Sequence, residues 1–109
     1  MKYIIIKKKK IKIKTLSSFK DKIKSIRFIL DTINDGYYFP KKKDINTYFF
    51  CQKVNIYQVD ENNKILYCYL NCKTEKFIFR KKKVKAIYIL PVFVSDYYKV
   101  GDVIKIEEI

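Results

Sequence analysis

The chain opens with apolar and charged residues trading places. Ile11-Lys12-Ile13-Lys14 alternates with period two, and residues 2–14 as a whole read as β structure with one wet face. The period then changes. Phe19, Ile23, Ile26, Leu30 and Ile33 recur at helical spacing, so they share one face, with Lys20, Lys22 and Lys24 largely outside it. Ser18, with Asp21 three residues on, is a capping-box variant, and Asp35-Gly36 is a stop signal. One amphipathic helix is predicted over about 18–33.

From Tyr37 onward the pattern is β to the end. Tyr37-Tyr38-Phe39 is closed by Pro40, and Thr47 to Phe50 is β-prone. Val54 to Val59 alternates and runs into the polar turn Asp60 to Lys64, from which Ile65 to Leu70 returns, so this pair reads as a hairpin. Phe77 to Phe79 and Val84 to Leu90 are two further strands around a basic turn. Val92 to Lys99 is a connector with one short helical turn at Ser95 to Tyr98. Val100-Gly101-Asp102 turns into a last strand, Val103 to Ile106. The predicted fold is α+β and mainly β: an antiparallel open barrel or sandwich of about seven short strands with one helix, a single domain over residues 1–109. There is no internal repeat and no Gly/Ser or Pro-rich linker.

Composition narrows the chemistry. The 109 residues carry a net charge of +14 and are 49% hydrophobic, which argues against a disordered polybasic tail. All the basic residues except Arg27 and Arg80 are Lys, and Lys, Ile, Asn, Tyr and Phe dominate. An A/T-rich genome produces that skew without selection for a polyanion, although the field it creates attracts nucleic acid or anionic lipid weakly. His is absent, so a His-based triad, a Cys-His dyad and His-containing metal sites are excluded. The two glycines, Gly36 and Gly101, cannot form a phosphate-cradling loop. No apolar run approaches the ~20 residues of a membrane-spanning helix, and the apolar stretch after Met1 is too short for a signal-peptide core. The expectation is a soluble cytoplasmic protein, with an odd cysteine count suited to a reducing compartment.

Several segments, in order, resemble domain-of-unknown-function family 192, a small bacterial and archaeal family. Ile45-Asn46-Thr47-Tyr48-Phe49-Phe50 stands where the family has a His-Thr-Phe-x-Met strand. Val54-Asn55-Ile56-Tyr57-Gln58-Val59-Asp60 stands for its Ile-Asp strand and hairpin. Tyr88-Ile89-Leu90-Pro91 and Val100-Gly101-Asp102 stand for its Leu-Glu-Leu-Pro and Val-Gly-Asp segments, and Lys22, Ser25 and Ile26 for its helix signature. The resemblance covers roughly Leu16 to Ile106. It implies a compact, mostly antiparallel β domain with one helix. The family His is Asn46, its Asp is Asn55, its Met is Phe50 and its Glu is Ile89. Asn offers a donor and an acceptor but cannot act as a general base.

Three groups of residues are candidates for function. Asn46, Thr47 and Asn55 either line a small polar pocket or bond neighbouring backbone and hold a strand in register. Cys51, Cys68 and Cys72 read better as small buried hydrophobes than as a thiolate metal site; Cys68 and Cys72 are expected on one strand face. The basic clusters Lys7, Lys8, Lys9 and Lys10, then Lys41, Lys42 and Lys43, then Arg80, Lys81, Lys82 and Lys83 are candidates for polyanion binding, with Tyr37, Tyr38, Tyr48, Tyr67 and Tyr69 as stacking residues. No carboxylate pair is placed in an apolar cleft where its pKa is tuned. The expected function is a non-enzymatic binding or assembly domain, without cofactor or metal, whose partner is a protein or a weakly bound nucleic acid or anionic surface. The alternative is a single-stranded nucleic-acid-binding small β-barrel. A hydrolase built on Asn46, Asn55 and Cys51 is the weakest reading.

Overall fold

A computed structural model describes residues 2–6, 9–15, 35–40, 45–46, 52–72, 76–79 and 81–108. Among them lie strands β1 (Lys2–Ile6), β2 (Lys9–Thr15), β3 (Gly36–Pro40), β4 (Ile45–Asn46), β5 (Val54–Val59), β6 (Ile65–Cys72), β7 (Phe77–Ile78), β8 (Ala86–Leu90) and β9 (Glu107–Glu108). Seven form one mixed sheet in the order β6-β5-β8-β3-β2-β1-β9, and β4 pairs with β7 apart from it. The fold is mainly β and the sheet is not closed, in keeping with an open barrel or sandwich.

The alternating start of the chain is two strands. β1 and β2 pair antiparallel around residues 7–8, with Ile4 opposite Ile11. Ile4, Ile6, Ile11 and Ile13 turn inward while Lys10, Lys12 and Lys14 face out. β2 then pairs with β3 in parallel, Ile13 opposite Gly36 and Thr15 opposite Tyr38. A parallel pair needs a crossover of a dozen or more residues. Residues 16–35 supply it, so the sheet is mixed rather than wholly antiparallel. The helix predicted over 18–33 falls in this crossover, outside the described residues. The strand predicted over Thr47 to Phe50 also lies outside the described residues.

The hairpin read from Val54 to Leu70 forms as β5 and β6. Its turn is held by Asp60, whose Oδ1 accepts from the backbone N–H groups of Asn62 at 2.8 Å and Lys64 at 3.0 Å. Asn63 sits there at φ 63°, a conformation Asn tolerates. β6 runs two residues past the predicted end and carries two irregularities, one between the Gln58 and Val59 pairings and one between those of Ile56 and Val54. Each extra residue shifts the alternation to the other face. Cys68 consequently packs with one hydrophobic cluster and Cys72 with the other. The expectation that they share a face is corrected by the bulge at Leu70-Asn71.

Both faces of the central strands are covered. β5 and β8 are buried at every position, as expected for strands sandwiched between two layers. Tyr57, Val59, Ala86, Tyr88 and Leu90 join the isoleucines of β1 and β2 in one cluster. Val54, Ile56, Ile87 and Ile89 join Tyr37, Phe39 and Ile78 in the other. The helical turn in the connector comes earlier than predicted, as a 3-10 turn over Val92–Val94, because Pro91 favours an extended start.

The C-terminal segment reaches both edges of the sheet. Gly101 N–H donates to Ile65 O at 2.9 Å, Ile65 N–H to Asp102 O at 2.8 Å, and Ile104 N–H to Asn63 O at 3.0 Å. Further along, Glu107 and Glu108 pair with Tyr3 and Lys2 of β1. The ladder is interrupted between Val103 and Glu107, so the sheet curls toward a barrel without closing. The predicted last strand, Val103 to Ile106, is therefore a single bridge at Val103 followed by β9. Gly101 makes the entry possible at φ 98°, where other residues are strained.

Gly36 is constrained by space instead. A Cβ there lies 2.5 Å from Ile13 Cδ1 and 2.7 Å from Leu90 Cδ2. Gly36→Ala is expected to cost about 1–3 kcal/mol of unfolding free energy, as other overpacked sites do. Urea denaturation checks this, and an unchanged midpoint contradicts the close approach of β2 and β8 across β3.

Candidate functional site

Of the predicted pocket residues, Asn55 has a complete environment. Alternation along β5 turns it to the same side as Tyr57 and Val59, where it is fully buried. Its Nδ2 donates to Pro91 O at 3.3 Å, to Ser95 Oγ at 3.0 Å and to the Tyr57 hydroxyl at 3.3 Å. Its Oδ1 accepts the backbone N–H of Asn71 at 2.9 Å. The Ser95 hydroxyl has one proton, which the 2.6 Å approach to Val92 O takes, so Ser95 accepts from Asn55. Asn71 has φ 50° and lies in the β6 bulge, where the ladder leaves an amide without its strand partner. Asn55 therefore joins three segments: the end of β8, the 3-10 turn and the bulge. Asn46 lies in β4 opposite Phe77, on the separate small sheet. Thr47 lies outside the described residues.

A second buried amide, Gln58, was not among the predicted site residues. Its Nε2 donates to Phe79 O at 3.0 Å and its Oε1 accepts from the Tyr69 hydroxyl at 3.2 Å. The available signal was its phase: Gln58 continues the Val54, Ile56 row of β5, where a polar group needs buried partners. Among the described residues no buried side-chain polar atom lacks a partner.

The interior is rich in phenols. Tyr38, Tyr88, Tyr57 and Cys68 form a cross-strand row over β3, β8, β5 and β6. Tyr38 and Tyr88 stack at 4.6 Å, and Tyr98 meets Tyr57 edge-on at 6.0 Å. Burial pushes the pKa of Tyr57 and Tyr88 well above the usual phenol value and that of Tyr98 up to about 12. A cleft of about 340 Å³ opens at this end of the sheet, where Asn63, Lys2 and Glu108 flank Tyr38 and Tyr88.

Of the basic clusters, Lys9 and Lys10 open β2 at one end of the sheet, and Lys81 to Lys83 precede Ala86, which pairs with Pro40 at the other end. Lys7, Lys8, Lys41, Lys42, Lys43 and Arg80 lie outside the described residues. Lys10 sits over the Tyr3 ring at 5.0 Å. Lys81 sits over the rings of Tyr67 at 4.8 Å and Tyr69 at 5.2 Å and donates to the Tyr69 hydroxyl. Lys82, Lys83 and Lys85 line a cleft of about 420 Å³ with Asp60 and Glu61.

Of the predicted stacking residues, Tyr37 is buried and Tyr38 is turned inward, while Tyr48 lies outside the described residues. Tyr67 and Tyr69 remain at the surface side of β6. Two residues that sequence reasoning did not assign to stacking join them. Phe77 and Phe79 point outward with rings 4.7 Å apart, while Ile78 between them is buried. Gln58 fixes this arrangement, since its two amide ends hold Phe79 and Tyr69. Period-two alternation in Phe77-Ile78-Phe79 was the signal that could have placed both rings on one face.

No protein-family model matches this sequence, and no curated protein matches it. Two solved structures share its fold. One is a protein of unknown function from Novosphingobium aromaticivorans DSM 12444, at 13% identity and a TM-score of 0.74, covering 98% of this chain and 83% of that one. The other is a proposed transcription regulator from Sinorhizobium meliloti 1021, at 9% identity and a TM-score of 0.72, covering 97% of this chain and 90% of that one. Among the described residues no helix is long and apolar enough to cross a membrane, and no cluster of metal-ligating side chains occurs.

Two outcomes follow from the buried polar groups. Asn55→Asp replaces an amide that donates to Pro91 O with a carboxyl whose oxygens face it. The loss of stability is expected to be about 2–4 kcal/mol at pH 7. Denaturation of the variant checks this; a loss below about 1 kcal/mol contradicts the structural role of the amide. For the phenols, the folded chain holds protons more tightly than the unfolded one. Their stabilisation is complete below pH 10 and declines as pH rises from 10 toward 12. In a phenolate absorbance titration Tyr57, Tyr88 and Tyr98 should ionise only above the exposed tyrosines, in step with unfolding.

Proposed function

We propose that the chain is a non-enzymatic binding domain, a divergent relative of family 192, that meets its partner through the aromatic side of β6 and β7. The observation that carries this is the exposure of that side. Phe79 is 66% exposed and Phe77 48%, with rings 4.7 Å apart, and Tyr67 on β6 is 39% exposed, whereas Tyr37, Phe39, Tyr57, Tyr88 and Tyr98 are buried. Contiguous exposed apolar surface is uncommon on soluble proteins and marks interaction sites. The family reading is supported by the order of the matching segments and by the Gly101-Asp102 turn, in which Asp102 Oδ2 accepts from Lys99 N–H at 3.0 Å. The non-enzymatic reading is supported by Asn55. It stands where the family has Asp, and its amide is engaged by the chain itself.

If the rings serve binding, the fold does not need them. Phe77→Ser and Phe79→Ser are each expected to change unfolding free energy by less than about 1 kcal/mol, in line with other exposed positions. Chemical denaturation of both variants tests this. A loss above about 2 kcal/mol in both shows that the rings support the core, and the binding reading falls.

A further inference from the structure

We propose that this aromatic side binds single-stranded nucleic acid, stacking bases on Tyr67, Phe77 and Phe79 and neutralising phosphates with Lys81, Lys82, Lys83 and Lys85. The inference rests on the binding reading above and names its partner.

Two properties of the patch select this occupant. The first is charge: Lys81 lies over the Tyr67 and Tyr69 rings, and Lys82, Lys83 and Lys85 line a cleft with Asp60 and Glu61, on a chain of net charge +14. Asp60 is already committed to its own turn. A polyanion complements this surface. The second is ring geometry. Phe77 and Phe79, 48% and 66% exposed, hold their rings 4.7 Å apart at a 44° tilt, which presents aromatic surface to solvent. Single strands offer phosphates and free base faces together, while a duplex hides its base faces. The Lys81 ammonium lies over the Tyr67 and Tyr69 rings, so the cation and the stacking platform are one unit. Lys83 is held at φ 74° in the turn Lys81 to Val84, a conformation costly for a residue with a side chain, and both Lys82 and Lys83 are exposed there.

The test is fluorescence anisotropy of a labelled oligothymidylate with the full chain, with intrinsic tyrosine emission followed in parallel. Quenching of tyrosine is expected. The slope of log affinity against log salt is expected to be about −2 to −3, from three or four lysine contacts to a single strand. Phe79→Ser and Tyr67→Ser are each expected to weaken binding by about 5- to 100-fold, the range for loss of one stacked base. Lys10→Ser, at the opposite end of the sheet, should change it less than twofold. Two variants are used so that one misfolded protein does not decide the result. Equal binding by wild type and both ring variants, or duplex bound as tightly as single strand, overturns the nucleic-acid assignment and leaves a binding surface for another partner. Self-association through the patch without oligonucleotide binding does the same. If the chain neither binds oligonucleotide nor self-associates, and its ring variants lose stability, both readings fall.

Discussion

An asparagine amide offers two donor hydrogens and an oxygen with two lone pairs, and inside a protein no bulk water is at hand to satisfy them. Asn55 is placed where the chain itself supplies partners. The bulge in β6 leaves Asn71 with an amide that the strand ladder does not use, and the loop after β8 leaves Pro91 O facing inward. Pro91 O also accepts from Val94 N–H at 3.2 Å, whereas Asn55 Oδ1 gives Asn71 N–H the partner that the ladder does not supply. Joined through one side chain the two groups fix how β6, β8 and the 3-10 turn meet around β5. The bulge then decides the rest of β6: Cys68 turns to the interior while Tyr69 and Cys72 turn to the opposite side.

Aromatic residues are buried on both sides of that division, Tyr57, Tyr88 and Tyr98 on one and Tyr37 and Phe39 on the other. The β5–β8 sheet has two faces, and each takes one buried amide of β5. Asn55 serves the interior with Tyr57, and Gln58 serves the other face with Tyr69 and Phe79. On the interior side the phenols are buried and stacked, so they contribute packing and resist ionisation. On the other side Gln58 anchors only the backbone of Phe79, and the ring is left in solvent.

Much of the strand pattern was legible. Period-two alternation located β2 and β5, the returning arm of the hairpin and the apolar run Val84 to Leu90 located β6 and β8, and the Asp60 and Gly101 turns were marked by residues whose local hydrogen bonding or positive φ the turns use. The bulges were not legible, since an inserted residue changes the face of everything after it without altering local composition. For that reason Cys68 and Cys72 were assigned to one face. Nor could the parallel pairing of β2 with β3 be read, because alternation reports burial and not strand direction.

The sequence by itself determined a mainly β chain, the absence of imidazole chemistry, a strong positive charge and a neutral amide at position 55, since these depend on side-chain type and spacing alone. Only the tertiary structure decided which of the described rings are exposed, that Lys10 and Lys81 to Lys83 fall at opposite ends of the sheet, and that Asn55 is spent on the chain's own backbone. Those are distances between residues far apart in sequence, fixed when the C-terminal segment touches both edges of the sheet and the two faces of β5 are covered.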